Sequence, residues 1–472
     1  MSDNYILLES IGFLNTIPQY QTLVKVFVGL WLVWTMVKHC RQRGSNSQPT
    51  NLEVERKLEQ WNPEPLASEI DPNHPSLSPR IVTSKIGKNI IVNGKNCLNI
   101  GSHNYLGFLD NKNIENKAIS IIEKYGVGSC GPRGFFGTTD VHLELEECLA
   151  KFMNTEEAIV YSYGFSTVSS AIPAYSKRND IIFADEKVNF SIQKGIDASR
   201  STVKYFKHND FNDFERLLIE QSNEDLKNPK KAMKIRRFLV VEGIYMNSGC
   251  ICPLPEFVEL CKNYKVRIFI DESISFGTIG ATGRGITEHF GVPRNEIDMI
   301  IGSLEWAIGS IGGFCVGSSF IIEHQRLAGL GYCFSASLPP LLTAAATTSV
   351  NLMQSNPAMF DKLKDNCHKF HELLSNLKHF ELSASPESPI KHLYLKNKLT
   401  RTQEYDILRK ITDCCLDNHL AVVMPVYLDS EKYLPRHSLR ICVSNIFEHN
   451  DINFSIDVLE KCSSQIIQVS KH

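Results

Sequence analysis

Asp298-Met-Ile-Ile-Gly-Ser-Leu-Glu-Trp-Ala-Ile-Gly-Ser-Ile-Gly-Gly-Phe314 is the stretch that decides the fold of this chain. Residues 299–303 form an apolar run of strand length, which predicts a strand buried on both faces of a sheet. A polar turn follows, and a Gly-Gly step then leads into a second apolar strand at 313–316. Two neighbouring buried strands of this kind indicate the interior of an α/β sheet.

The same pattern of short apolar runs separated by helical segments extends from about 102 to 340. It predicts a large, doubly wound, mostly parallel sheet. From residue 341 onward the pattern changes to long helices and a short sheet around 392–395, 421–425 and 438–443, which predicts a smaller α+β C-terminal domain. The strands expected in the large sheet are 158–161, 181–184, 203–206, 238–242, 267–271, 299–303 and 313–316.

The composition is that of a globular protein with more than one packed lobe. The chain has 472 residues, of which 43% are hydrophobic and 22% charged. A net charge of -2 argues against a general nucleic-acid surface, so no nucleic-acid partner is expected. The 14 cysteines include no Cys-x-x-Cys pair, which favours reduced thiols and predicts no metal site.

The N-terminal region carries an apolar run at 23–37, which 17–22 can lengthen toward the about 20 residues of a membrane span. Basic residues follow it and acidic residues precede it. This pattern predicts a transmembrane helix at 17–37, with residues 1–16 in the lumen and the main domain in the cytosol. The alternative is an amphipathic helix that lies on the membrane or on a partner.

The remaining domain boundaries follow from turn and linker signals. Residues 38–80 are polar and then proline-rich, as expected of a linker and an N-terminal arm. Alternating residues around Asn93-Gly94 predict a β-hairpin within 81–100. We therefore expect a large domain at 81–340 that includes this hairpin, and a small domain at 341–472.

A glycine-rich loop runs Tyr125-Gly-Val-Gly-Ser-Cys-Gly-Pro-Arg-Gly-Phe-Phe-Gly-Thr138. It contains Gly-x-Gly-x-x-Gly, but the preceding segment 113–125 is helical, whereas a dinucleotide site requires a preceding strand. Glycines permit close backbone approach, and Arg133 could pair with a carboxylate or phosphate. A purely structural turn is the alternative. His142, shortly after the loop, is expected to be structural.

The stretch from Gly302 to Gly313 resembles the lysine segment of the α-oxoamine synthases, Gly-Thr-Phe-Ser-Lys-x-x-Gly-x-x-Gly-Gly. Those enzymes depend on pyridoxal phosphate (PLP) and condense an amino acid with an acyl-CoA. The resemblance implies a PLP-dependent transferase of fold type I. The lysine position falls on Trp306, which has no amine and cannot form an aldimine, so no catalytic residue is expected in this chain.

Other family motifs are present with single side chains changed. Asn189 stands where the family has a histidine stacked on the cofactor ring, and Ile274 replaces a histidine that meets the ring hydroxyl. Asp271, which holds the pyridinium nitrogen in the family, is retained, although it could equally cap the next helix. Gly164 and Phe165 lie where the family cradles the cofactor phosphate; an ordinary helix start is the alternative. These residues would form a vestigial cofactor pocket.

The segments that serve a neighbouring subunit's site retain the family pattern. By the resemblance, the glycine-rich loop enters the active site near the dimer interface, and Ser335 reaches across to the neighbour's cofactor phosphate. In the small domain, Ser438 replaces the arginine that grips the amino-acid carboxylate, while Arg440 is retained. The residues expected at the partner's active site or at the interface are Cys130, Gly131, Pro132, Arg133 and Ser335.

Losses confined to one half of a shared site imply a heterodimer in which a lysine-bearing partner subunit binds PLP covalently. Among relatives with an N-terminal membrane segment, the resemblance implies an endoplasmic-reticulum complex that condenses L-serine with palmitoyl-CoA. Small membrane regulatory subunits and membrane lipid are its further expected partners. The alternative is a self-sufficient PLP enzyme that uses another lysine, but no lysine occurs between Lys265 and Lys362.

Overall fold

The structure, a computed structural model, describes residues 18–45, 50–67, 77–397 and 399–469. The chain divides into two compact units, Met1–Pro79 and Arg80–His472. The expected lumenal segment 1–16 lies outside the described residues, as do 46–49 and 68–76 of the expected linker and arm.

The first unit contains helices α1 (Pro18–Ser45) and α2 (Asn51–Gln60). The large apolar side chains of 23–37 on α1 are exposed, with Phe27 at 73%. Within the described residues, no helix is both long enough and apolar enough to cross a membrane. The transmembrane helix expected at 17–37 is therefore not supported, because the apolar run is shorter than the about 20 residues that a bilayer core requires and carries Lys25.

The second unit begins with the expected hairpin, which is confirmed. Strand β1 (Asn89–Val92) pairs antiparallel with β2 (Lys95–Asn99). The two turn residues, Asn93 and Gly94, have φ angles of 49° and 79°, as a type I′ turn requires.

A third strand from the far end of the chain completes the hairpin sheet. Strand β12 (Leu420–Ala421) pairs with β2 in parallel. The sequence assigned 421–425 to the C-terminal sheet, and this is only partly right: Ala421 pairs with β2, whereas Val423 forms an antiparallel bridge with Arg440 of the C-terminal sheet. The sequence pattern shows only that this segment is apolar. Its strand pairing is set by contacts between residues more than 300 positions apart in the chain, such as Leu420 opposite Leu98.

The central sheet contains the seven strands predicted from the sequence. They are β3 (Glu157–Tyr161), β4 (Ile181–Asp185), β5 (Thr202–Phe206), β6 (Arg237–Glu242), β7 (Arg267–Asp271), β8 (Met299–Ser303) and β9 (Gly313–Gly317).

The strand order is β3-β9-β8-β7-β6-β4-β5. Strands β4 to β8 run parallel to one another, whereas β9 is antiparallel to both β3 and β8. The sheet is therefore mixed, with one antiparallel strand inside a parallel array. Every residue of β4, β8 and β9 is buried. Since successive side chains point to opposite faces, both faces of the sheet are covered.

Helices connect and cover these strands. Those of the second unit are α3 (Lys112–Tyr125), α4 (Asp140–Met153), α5 (Gly164–Tyr175), α6 (Phe190–Ser199), α7 (Phe211–Lys227), α8 (Pro229–Ala232), α9 (Leu254–Tyr264), α10 (Ile286–Phe290), α11 (Ser319–Ala328), α12 (Leu330–Cys333), α13 (Pro340–Ser355), α14 (Ala358–Ser375), α15 (Arg401–Asp417) and α16 (His449–Val469).

The C-terminal residues contribute a small antiparallel sheet of β10 (Phe380–Ser383), β11 (Ile390–Leu395) and β13 (Leu439–Cys442). Two of its strands match the runs expected at 392–395 and 438–443. Residues Arg80–His472 form one compact unit, and the boundary between 340 and 341 stays a prediction.

Candidate functional site

The parallel strands end at a common edge, where a cavity of about 290 Å³ lies. Asp271 ends β7 and Ser303 ends β8, and both line this cavity. Small ligands bind at this edge in open α/β sheets. The cavity wall also includes Gly164, Asn189 and Trp306, so the structure brings together residues that are far apart in the sequence.

Trp306 is the residue that the resemblance places where the family has its lysine. Its indole ring is half-buried and stacks on the imidazole of His103, with ring centroids 4.9 Å apart and an angle of 26° between the planes. An aromatic wall therefore stands where a Schiff-base amine would be needed.

The N-terminus of α5 already has an anionic partner from this chain. The Glu305 carboxylate accepts a hydrogen bond from the Gly164 N–H at 3.0 Å. Free amides at a helix N-terminus, together with the helix dipole, attract anions such as phosphate. Because Glu305 fills this place, a cofactor phosphate would have to displace a carboxylate.

Asp271 is also fully engaged by neighbouring groups. One of its oxygens accepts the Asn189 Nδ2–H at 2.9 Å, and the other accepts the Ser273 hydroxyl at 2.5 Å and the Ser273 N–H at 2.9 Å. Burial raises the pKa of Asp271, and the hydrogen bonds from Ser273 and Asn189 oppose that rise. Its side chain is therefore held by Asn189, the residue that replaces the family's ring-stacking histidine.

Glu242, at the end of β6, supports the same edge. Its carboxylate accepts the N–H groups of Asn189 at 2.7 Å and of Met246 at 3.0 Å. Burial, and then the nearby charge of Asp271, raise the pKa of Glu242 to about 8. The two buried carboxyl groups and Asn189 thus form one closed hydrogen-bond network.

The residues that the resemblance assigns to PLP do not fit that cofactor. Trp306 offers no amine, the Gly164 N–H expected to hold the phosphate is bonded to Glu305, and Asp271, expected to meet the pyridinium nitrogen, is bonded to Asn189. Ile274 is 2% exposed and packs in the hydrophobic core, so it offers no group to a ring hydroxyl.

The small sheet closes the other side of the cavity. The Ser438 hydroxyl lies 2.9 Å from Nδ1 of His392, whose Nε2 lies 2.8 Å from the Met246 carbonyl oxygen. Burial lowers the pKa of His392 to about 4, which leaves the imidazole neutral. Arg440 lines the cavity.

The glycine-rich loop is held by an internal ion pair. Arg133, only 4% exposed, donates to both carboxylate oxygens of Glu146 at 2.8 and 3.0 Å, and its Nε donates to the Thr138 hydroxyl. The sequence suggested Arg133 as a partner for a carboxylate or phosphate. The carboxylate that it pairs with is Glu146 of this chain. Because the guanidinium is buried and already paired, Arg133 positions the loop.

Hydrogen bonds join this loop to the segment that contains Ser335. The Ser337 hydroxyl donates to the carbonyl oxygens of Gly131 and Gly137 at 2.9 and 2.5 Å, and Ser129 donates to the Ser337 carbonyl at 2.7 Å. Ser335 itself is half-buried. The two segments expected to serve a neighbouring subunit therefore form one connected surface.

That surface, which we call the aromatic loop face, is both exposed and apolar. Cys130 is exposed, and its φ of 55° lies in the left-handed region, while Gly131 and Pro132 beside it are half-buried. Phe135 and Phe136 are 69% and 104% exposed. Other large apolar side chains exposed on these two segments are Val127, Leu330 and Phe334. Exposed apolar patches of this kind mark interaction sites.

His142 has the structural role expected from the sequence. It is fully buried, with Nδ1 3.0 Å from the Thr139 N–H nitrogen and Nε2 2.7 Å from the Leu338 carbonyl oxygen. It thereby fixes the start of α4 against the Ser335 segment.

A buried acid–histidine pair supports the turn that carries Met246. His208 Nδ1 lies 3.0 Å from Asp185, and its Nε2 lies 3.0 Å from the Ser248 hydroxyl. Burial alone would lower the pKa of His208, but hydrogen bonds to Asp185 and Cys250 outweigh it and raise the pKa to about 9. Ser248 is fully buried, so the chain of hydrogen bonds is closed to substrates.

The raised pKa of His208 predicts a pH dependence of stability. Stabilisation by the charged imidazole is complete below the ordinary pKa of 6.5 and is lost as the pH rises through about 9. This loss amounts to about 3 kcal/mol at most. In urea unfolding across that interval, His208→Gln should show a flatter dependence than the unaltered chain. His419→Gln, at an exposed histidine, should keep the original slope. Equal slopes in His208→Gln and the unaltered chain would contradict the assignment.

Sequence reasoning missed three residues of the site. Glu305 and His392 line the pocket, and His103 stacks on Trp306, which also lines it. Of these three residues, only Glu305 has a usable sequence signal: it is an acidic residue directly before Trp306, in the turn between two buried strands. Among the described residues, no group of three or more histidine, cysteine or acidic side chains could hold a metal ion.

A family model, curated relatives and solved structures all match this chain. The model of the aminotransferase class I and II family matches residues 95–451. Serine palmitoyltransferase 1 of Dictyostelium discoideum is 37% identical over 98% of this chain and 98% of its own length. Long chain base biosynthesis protein 1 of Arabidopsis thaliana is 40% identical over 89% of this chain and 86% of its own. A solved structure of SPT with a PLP internal aldimine has a TM-score of 0.73 at 25% identity, covering 82% of this chain and 93% of that chain.

The mixed sheet and the pocket at its edge define the PLP-dependent aminotransferase fold, and the chain belongs to the class I and II aminotransferase family. Within that family it belongs with the relatives named serine palmitoyltransferase 1 and long chain base biosynthesis protein 1.

Proposed function

We propose that this chain is a non-catalytic but obligate subunit of serine palmitoyltransferase. That acyltransferase condenses L-serine with palmitoyl-CoA to 3-oxosphinganine in the first step of sphingolipid synthesis. The observation that carries the proposal is the occupied pocket, where Trp306 replaces the lysine and Glu305 takes the phosphate position. A chain of this family that cannot hold the cofactor must act through another subunit.

The partner would be the lysine-bearing subunit 2, which would bind PLP covalently. The aromatic loop face is the surface proposed to meet it, with Cys130 to Pro132 and Ser335 completing the partner's active site. Its exposed phenylalanines favour this role, because aromatic side chains dominate the energetics of protein interfaces. PLP therefore belongs to the complex and not to this chain's own pocket.

The complex would lie at the endoplasmic reticulum membrane, with small membrane subunits as further partners. Helix α1 supports membrane association, since Trp31 and Trp34 are 57% and 59% exposed among other exposed apolar side chains. Lys38 lies 5.0 Å from the Trp34 ring centroid. Tryptophan and lysine side chains are suited to the boundary between headgroups and acyl chains.

Borohydride trapping tests the assignment of the cofactor. The purified chain alone, incubated with PLP and reduced, should yield no stoichiometric pyridoxyl-lysine in peptide mass spectrometry. The complex with subunit 2, treated in parallel, should carry the label on the partner. A stoichiometric label on a lysine of this chain would favour the alternative, a self-sufficient PLP enzyme.

Replacement of Cys130 tests the shared site. Cys130→Trp adds a large side chain at an exposed, left-handed position on the aromatic loop face, so it should lower turnover of the complex at least 10-fold. The melting temperature of the isolated chain should change little. Met233→Trp, at an 86% exposed position outside the aromatic loop face, is the comparison variant. Unchanged turnover in the Cys130→Trp complex would remove the loop from the partner's site.

A further inference from the structure

Three cysteines meet where α15 packs against α16. Cys414 and Cys415 lie in the last turn of α15, and Cys462 lies in α16. Cys415 and Cys462 are fully buried, while Cys414 is half-buried. The adjacent Cys414-Cys415 pair has no part in the pocket or in the aromatic loop face.

Two of these sulfur atoms are in direct contact. Cys414 Sγ lies 2.6 Å from Cys462 Sγ, and both are reduced thiols. The Asn418 amide lies 3.7 Å from each sulfur, and Lys461 Nζ donates to the Asn418 side-chain oxygen at 2.8 Å. The two sulfurs are closer than unbonded neighbours normally are, so the two side chains already point at each other, as a disulfide requires.

The surroundings also favour a thiolate at one of the two positions. Hydrogen bonds from Cys415 and Cys414, assisted by the charge of Lys461, outweigh burial and lower the pKa of Cys462. Burial and the hydrogen bond to Cys462 raise the pKa of Cys414. Cys462 is therefore the nucleophile and Cys414 the resolving thiol, because the thiolate is the reactive form.

We infer that Cys414 and Cys462 form a modification site, a dithiol that hydrogen peroxide oxidises to an intrachain disulfide between α15 and α16. The Cys462 thiolate attacks one peroxide oxygen, the O–O bond breaks, and hydroxide leaves to give a sulfenic acid. The Cys414 sulfur then attacks the Cys462 sulfur and breaks its S–O bond. The departing hydroxide takes the Cys414 proton, so that two thiols and one peroxide give one disulfide and two waters.

Burial restricts the oxidant to a small molecule. Cys462 is fully covered and only Cys414 reaches the surface, so peroxide fits this site better than a bulky disulfide such as oxidised glutathione. Oxidation would join the end of α15, where Arg80 binds Asp413 at 2.6 Å, covalently to α16. A cross-link that closes a long loop stabilises the folded chain.

Peptide mapping of the full-length chain in its complex tests this inference. After peroxide treatment and blocking of free thiols, non-reducing digestion should yield a linked peptide pair containing Cys414 and Cys462, which dithiothreitol separates. The melting temperature should rise by several degrees and fall back on reduction. Because this experiment uses the unaltered protein, its result does not depend on whether a variant folds.

Serine variants identify which two cysteines form the disulfide. Cys462→Ser and Cys414→Ser should abolish the linked pair, whereas Cys415→Ser and Cys333→Ser should retain it. Full alkylation of Cys414 and Cys462 after peroxide treatment would overturn the inference. A linkage of Cys462 to Cys415 in the unaltered chain would equally overturn it, as would a linkage to another chain.

Discussion

Replacement of Arg133 by alanine is expected to lower the free energy of unfolding of the isolated chain by about 3–5 kcal/mol. The change leaves the Glu146 carboxylate, only 7% exposed, without its cationic partner. It also frees the glycine-rich loop from its only ion pair within the described residues, so turnover of the complex should fall as well. Urea unfolding with a structural probe measures the first effect.

Two comparison variants make the Arg133 result specific. Lys151→Ala breaks the exposed pair with Glu147 on the same helix, α4, where the side chains are 72% and 67% exposed. Its cost should be small beside that of Arg133→Ala, because solvent screens exposed ion pairs. The double change Arg133→Met with Glu146→Leu removes both charges and should cost less than Arg133→Ala alone. A loss below about 1 kcal/mol in Arg133→Ala would show that the buried pair does not hold the loop.

Phe136→Gly is expected to weaken binding to the partner subunit while leaving the stability of this chain nearly unchanged. Phe136 is fully exposed at a φ of 62°, where a bulky residue is strained and glycine is not. Glycine relieves this strain but adds freedom to the unfolded chain, so stability should change by less than about 1 kcal/mol. Affinity for the partner subunit should fall at least about 30-fold, as for an interface hot spot.

The control for this variant is Phe320→Ala. Phe320 is also highly exposed, at 84%, but it follows β9 at the opposite edge of the sheet from the pocket. Affinity for the partner, measured by titration of the purified subunits, should then match that of the unaltered chain. If Phe136→Gly binds as tightly as Phe320→Ala, the aromatic loop face does not contribute to assembly.

The central sheet could be predicted from the sequence because its strands are buried on both faces. Met299–Ser303, for example, is buried at every position, so its sequence is a short, mostly apolar run. The hairpin was equally clear, since Asn93 and Gly94 suit the left-handed turn. By contrast, the pairing of Leu420–Ala421 with β2 depends on contacts between distant residues, which no local pattern encodes.

The candidate site was predicted in position but not in detail. Comparison with the motifs of the α-oxoamine synthases located Trp306, Asn189 and Asp271, because each stands at a fixed place in a motif. What those side chains contact is a tertiary property. The pairing of Arg133 with Glu146 and that of Glu305 with Gly164 join residues from different elements, so the sequence could not supply them.

The Glu305 carboxylate at the start of α5 has a consequence for how this protein matures. Glu305 already supplies a negative charge at the N-terminus of α5. The PLP phosphate therefore adds no stability to this chain there, because a ligand stabilises a fold only by binding to it. Under the proposed function, we therefore expect newly synthesised copies of this chain to fold as stably during vitamin B6 starvation as in its presence.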